Sequence, residues 1–164
     1  MADKTVYNFG SKSRVAKTNQ VTSYVTGDDG YYQKGMPTTP RFIDNGNGTV
    51  TDMVTGLMWV KNHTVAGLSE ARNWAGAIAE AEALNFAGFT DWRLCNVNEM
   101  LSIVNWASSN PFLYSPFTVV DRICWTSTTL ARGTDWAFAI WPADGECRIN
   151  NKSGDGQFFV CRLG

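Results

Sequence analysis

From Cys124 to the C-terminus, four short segments with apolar residues at alternating positions, "CWTSTT", "DWAFAIW", "ECRIN" and "FFVCRL", are separated by the breaks "LARG", "PADG" and "NKSGDG". Alternation over so few positions is the pattern of half-buried strands, and breaks rich in Gly, Asp, Asn and Pro are the pattern of tight turns. A chain that turns three times in so short a span must fold this region as antiparallel strands. The sequence also holds seven Trp, nine Phe and five Tyr beside fifteen Gly, which fits large aromatic anchors between many turns.

Upstream the period changes. Between Ser69 and Leu84 the residues Ala71, Trp74, Ala75, Ile78 and Ala81 recur at helical spacing, predicting an amphipathic helix with Ser69 as N-cap. A second helix is predicted after "TDWRLC". There Asn96 and Glu99 have capping-box spacing, Val97, Met100, Leu101 and Val104 form an apolar stripe, and the helix must end before Pro111. Before both helices, "RFIDNGNGTVTDMVTGLMWVKN" reads as a hairpin followed by a buried strand, "LMWV". Residues 1–40 are polar and rich in breakers, an arm leading into a domain that spans 41–164. Hairpin, helix, helix and antiparallel strands make an α+β fold. Trp59, Trp74, Trp92 and Trp125 fall in apolar stripes and are core candidates.

The totals exclude several functions. The net charge is −1 with no Lys/Arg run on any predicted element, so no nucleic-acid footprint is present. No 18-residue apolar span exists for membrane insertion, and "MADKTVYNFG" lacks the apolar core of a signal peptide. The four cysteines, Cys95, Cys124, Cys147 and Cys161, contain no CxxC pair and the only histidine is His63, a poor set for zinc. They allow three disulfide pairings, or equally a set of packed thiols. "TGDDG" and "DNGNGTVTD" lack the Glu that an EF-hand spacing requires, so Asp44, Asn45, Asn47 and Asp52 read as turn formers and no metal or cofactor is expected. No nucleophile motif accompanies His63, and an enzyme is not expected.

Six stretches in order, "TGDDGYYQKG", "RFIDNGNGTVTDMVTGLMWVKN", "GFTDWRLCNVNEM", "CWTSTT", "DWAFAI" and "FFVCRL", resemble the C-terminal domain of the Legionella collagen-like adhesin family. The resemblance implies a C-type lectin-like fold with two helices, a small antiparallel sheet and a loop-rich upper half. It also implies a binding module in a secreted, cell-surface or virion-surface setting, with a protein or glycan ligand on a target surface. Some proteins of this fold are variable proteins of diversity-generating retroelements, in which template adenines are mutated so that Asn codons diversify the last strands and loops. The chain departs from the family where Cys95 replaces the proline of "DWRLP" and where "IWPADGE" is longer than the usual turn.

Carried onto this sequence, Trp125, Trp136, Lys152, Val160 and Arg162 fall on the invariant framework. Ala131, Arg132, Gly133, Thr134, Ala137, Ala139, Pro142, Ala143, Arg148, Asn150, Asn151, Gly154 and Asp155 fall on the variable positions between them. All of the latter are reachable from AAC or AAT by adenine changes, whereas Trp, Glu, Lys and Gln are not. Trp141 beside Asp144 and Arg148 has the composition of a binding hot spot. Small polar residues are also what ordinary hairpin tips prefer, so two readings stand: a ligand-facing variable surface, or plain turns. An invariant polysaccharide-binding adhesin is the alternative to a diversified display protein.

Overall fold

The computed structural model describes residues 15–36, 40–108, 113–118 and 122–164. Among the described residues of the arm, the regular element is the four-residue helix α1 (Asp29–Tyr32). The hairpin follows as expected. Strand β1 (Phe42–Asp44) pairs antiparallel with β2 (Thr49–Asp52), and β3 (Leu57–Val60) extends the sheet. Side chains close its turn, since the Asp44 carboxylate accepts from the Gly46 N–H and the Asn47 oxygen accepts from the Thr49 N–H. Gly48 has a φ of +88°, and a Cβ there would stand 2.7 Å from the Phe86 ring, so glycine is required twice over.

Helix α2 (Trp74–Glu82) is shorter than its apolar period predicts. Its N-cap is Asn73, whose side chain accepts from the Gly76 N–H at 2.8 Å, and not Ser69. The residues before it are held elsewhere: Arg72 exchanges backbone hydrogen bonds with Gly156, and Gln157 Nε2 donates to the Ser69 carbonyl. Ala77 and Ala81 are buried with Trp74 and Ile78 packed beside them, while Ala75 is exposed. Strand β4 (Arg93–Leu94) was not expected; it precedes α3 (Val97–Ser102), which has the predicted capping box. Asn96 and Glu99 each accept the other's backbone N–H, at 2.9 and 2.8 Å. This helix also ends early, at Ile103, because Val104 leaves it to bridge Leu113 in the core; Pro111 lies outside the described residues.

The C-terminal region is sheet, as the alternation predicts: β5 (Cys124–Thr129), β6 (Trp136–Trp141), β7 (Glu146–Asn151), β8 (Gln157–Phe158) and β9 (Val160–Leu163). "FFVCRL" is not one strand. It divides at Phe159, with β8 lying parallel to β5 and β9 running antiparallel between β3 and β4. All three residues Phe158, Phe159 and Val160 are buried, Phe159 in one cluster and its neighbours in the other, so the chain passes from one sheet to the next here. Among the described residues the strands form two sheets, ordered β1-β2-β3-β9-β4 and β7-β6-β5-β8. The fold is α+β, as the element order predicts, with strand dominating.

One cluster gathers Trp59, Phe117, Phe159 and Met100; the other gathers Trp92, Trp125, Phe158 and the α2 alanines. Trp125 is 0% exposed and Trp92 2%, and Trp125 Nε1 donates to the Arg72 carbonyl at 3.0 Å. Beside the first cluster an ion pair is sealed in. Arg41 Nε and Nη2 donate to the two Asp52 oxygens at 2.8 and 2.6 Å, with both side chains 0% exposed. Burial alone would raise the Asp52 carboxyl, but the Arg41 hydrogen bonds and charge, the Thr55 hydroxyl and the Val54 N–H outweigh it and hold the group below the usual range.

Two outcomes follow from this packing. Trp125→Ala should cost about 3–5 kcal/mol in denaturant unfolding, since it opens a cavity and removes one of the two hydrogen bonds that the Arg72 carbonyl accepts. Arg41→Met should cost a similar amount, about 3–5 kcal/mol, by leaving Asp52 charged and unpaired. Because the folded Asp52 value is depressed, its stabilising contribution is fully present above the ordinary carboxyl pKa of about 4 and is lost as pH falls through the lower folded value. Denaturant midpoints recorded across the acid range should therefore fall more steeply for the wild type than for Arg41→Met.

Candidate ligand-binding surface

The β6–β7 hairpin carries most of the predicted site, and its register decides which side chains share a face. Ala137 lies opposite Asn150, Ala139 opposite Arg148 and Trp141 opposite Glu146. Cross-strand partners point the same way and alternate residues do too, so these six occupy one face. Ala137 and Ala139 are nonetheless 0% exposed, packed in the cluster with Trp125, Ala77 and Ala81. Neither alanine reaches a ligand; both belong to the core. Pro142 is buried as well. Asn150 is half-buried, and its Nδ2 is enclosed without a partner. Arg148 stays exposed because β7 is the edge strand.

The remaining predicted residues divide between the two ends of a hairpin whose six-residue strands span about 17 Å. At one end lie Ala131, Arg132, Gly133 and Thr134 in the β5–β6 turn and Asn151, Gly154 and Asp155 after β7; all but the partly exposed Gly133 are open to solvent. This end is anchored from below. Lys152 Nζ sits 3.8 Å from the centre of the Trp74 ring and donates to Thr129 Oγ1 at 2.8 Å, and its N–H donates to the Asp135 carbonyl. Gly156 is pressed so closely on Trp125 that a Cβ would stand 2.9 Å from Nε1.

At the other end are Trp141, Ala143, Asp144 and Arg148. The Arg148 guanidinium lies 5.1 Å from the centre of the Trp141 ring, Nη2 reaches Asp144 Oδ2 at 3.1 Å, and Nε donates to Glu146 Oε2 at 2.8 Å. The Glu146 hydrogen bond, with the Glu146 and Asp144 charges, raises the Arg148 pKa. Asp144 also accepts the Glu146 N–H at 2.9 Å, and Gly145 has a φ of +73°. The tip is thus a closed set of charge pairs against one indole. Sequence reasoning overlooked Glu146, although its i, i+2 spacing from Arg148 on a strand was a readable signal. It also assigned Trp136 wholly to the framework, whereas that ring is 41% exposed.

Elsewhere the candidates for chemistry are occupied structurally. Asn45 and Asn47 bond Thr49 and Thr51, Asp44 pairs with Lys61 at 2.7 Å, and among the described residues no group of three His, Cys, Asp or Glu side chains is placed to hold a metal ion. His63 is buried, with its ring centre 6.4 Å from that of Phe159, and desolvation lowers its pKa. All four cysteines are free thiols, three buried and Cys147 exposed. Burial pushes the Cys161 thiol up to about 12. Cys95, in the place of the family proline, is pinned from both sides: its N–H donates to the Phe159 carbonyl and its carbonyl accepts from Ser127.

The model of the Lcl C-terminal domain family matches residues 48–162, most of the chain, and the chain belongs to that family. No curated protein matches it. Adhesin-like ligand binding is the role the family suggests. The framework positions carried over by resemblance have structural work: besides Lys152 and Trp125, Arg162 pairs with Asp91 at 2.7 Å and lies 4.1 Å from the centre of the Phe89 ring. Alkylation followed by mass spectrometry should add a single adduct to the native protein, at Cys147, and four after denaturation; fast labelling of a second thiol would contradict the burial of the other three.

Proposed function

We propose that the domain is an adhesin-type recognition module with no chemistry of its own, displayed outside the cell or on a virion, that binds a protein or glycan on a target surface through the outer end of the β6–β7 hairpin. The observation carrying this reading is the Trp141–Arg148 pair, which Asp144 and Glu146 hold at a hairpin end whose hydrogen bonds stay within the hairpin. A Trp and an Arg fixed in one geometry lose little side-chain freedom on binding, which is why such pairs dominate interface energetics. The C-type lectin-like fold that the resemblance implies is part of the same reading: a loop-bearing sheet carried on two short helices.

A second reading is favoured by one observation. The positions holding adenine-reachable residues, Arg132, Thr134, Asn151 and Asp155 among them, are mostly exposed, while the unreachable Trp125 and Lys152 are locked into the scaffold. That pattern suits a variable protein of a diversity-generating retroelement, with diversification excluded from the buried Ala137, Ala139 and Pro142. A near-copy of the 3′ coding segment differing only at adenines, beside a reverse transcriptase gene, would establish it; without one the invariant adhesin stands.

For the binding surface itself, the measurement is attachment of labelled protein to glycan arrays and to intact target cells. Trp141→Ala and Arg148→Ala should each reduce the signal by roughly tenfold or more with an unchanged melting temperature. Full binding by both variants would remove the hairpin end from the site.

A further inference from the structure

A strand at the rim of a sheet carries main-chain groups without partners, and proteins commonly keep such strands short. Among the described residues three rim strands obey this: β1 has three residues, β4 two and β8 two. The remaining rim strand, β7, has six, all exposed except the half-buried Asn150. The ladder fixes which of its groups face outwards. The Lys152 N–H donates to the Asp135 carbonyl at 2.9 Å, while the Trp136 carbonyl accepts from Leu130 on the other side. Main-chain direction alternates along a strand, and the β6–β7 register is unbroken, so Glu146, Arg148 and Asn150 turn their groups to β6. Cys147, Ile149 and Asn151 therefore turn theirs to the open edge. Among the described residues nothing bonds the N–H or C=O of Cys147 or Ile149.

The side chains of Cys147, Ile149 and Asn151 lie on the face opposite the buried alanines, beside Trp136, Phe138 and Ile140. Ile149 is 40% exposed there, with the open Trp136 ring diagonally across from it. An edge with free main-chain groups and apolar side chains is extended by another strand. The strand that fits is β7 of a second copy, and its side chains select one antiparallel register about a twofold axis. Centring on Cys147 sets Ile149 against Gly145, which is in the turn with φ +73°. Centring on Arg148 sets two guanidinium groups directly opposite each other, and like charges so placed repel. Centres beyond Ile149 leave the Cys147 groups unpaired. Centring on Ile149 pairs Ile149 with its counterpart, Cys147 with Asn151, Arg148 with the neutral Asn150 and Glu146 with Lys152. Apolar then meets apolar on one face, and opposite charges meet on the other.

We propose that the β7 edges of two copies of the chain pair antiparallel about a twofold axis at Ile149, joining two β7-β6-β5-β8 sheets into one continuous sheet. The antiparallel arrangement points the two Trp141 ends in opposite directions, so the contact is separate from target recognition by that ring. Sedimentation equilibrium on the full chain, from micromolar to millimolar concentration, tests it. The wild type should pass from 18.1 kDa to twice that mass. Ile149→Lys sets like charges side by side at the axis and should weaken dimerisation roughly tenfold or more, with an unchanged melting temperature at low concentration, whereas Trp141→Ala should dimerise like the wild type. The register is read from Asn151→Cys oxidised with glutathione disulfide. Cys147 of one copy should link to the introduced thiol of the other, because opposed Cα atoms of a hydrogen-bonded antiparallel pair lie about 5.5 Å apart, within disulfide reach. The proposal is overturned if the wild type stays at monomer mass, which would leave the edge to a foreign strand. It is equally overturned if Ile149→Lys dimerises as well as the wild type, or if the cross-links join only Cys147 to Cys147. Loss of the dimer in Trp141→Ala alone would move the contact to the hairpin end and refute the edge pairing.

Discussion

The Trp125 indole is the point on which the architecture converges. Its ring is fully buried among Ala139, Phe158 and the α2 alanines, its Nε1 holds the Arg72 carbonyl, and Gly156 is forced against it. One side chain thereby joins the β7-β6-β5-β8 sheet, the entry to α2 and the loop that follows β7. The Arg72–Gly156 backbone pair beside this contact also explains why α2 is capped by Asn73. Close packing of this kind leaves little freedom to shift one element without the others.

That rigidity has a functional consequence. Strand β6 is sealed on its inner face by Ala137 and Ala139, and Lys152 is clamped between Trp74 and Thr129, so the backbone under the exposed positions is fixed. Most of the side chains at the two ends of the hairpin project into solvent from this fixed backbone. Recognition by such a surface relies on a few preorganised groups rather than on area. In the proposed reading, Trp141 with Arg148 is one such group.

Much of this was legible in the chain. The hairpin, both helices, the Asn96–Glu99 capping box and three of the C-terminal strands follow from period and turn chemistry, because in those segments local preference and tertiary packing agree. Where they disagree, the sequence misleads. Ser69 is a good N-cap residue, but the C-terminal loop engages its neighbourhood through Arg72 and Gln157, contacts across more than eighty residues that no local pattern records. "FFVCRL" is apolar throughout its first half, so alternation gives no warning that the strand changes sheets at Phe159. The burial of Ala137 and Ala139 was unreadable for a related reason: both faces of β6 are apolar, and both are covered, the alanines joining the α2 alanines and Ile140 joining Met100 of α3.

The separation of a fixed scaffold from a replaceable surface is tested most directly by thermal unfolding of one multiple variant. Ala131, Arg132, Asp144, Arg148, Asn151 and Asp155 are exchanged together for other small polar residues, and the melting midpoint is recorded beside those of the wild type and of Trp125→Ala. The exchanged protein should melt cooperatively near the wild-type midpoint, since exposed positions away from caps and ion pairs of the core contribute little to stability. A drop approaching that of Trp125→Ala would show that these side chains hold the hairpins together, and a separable recognition surface would be ruled out.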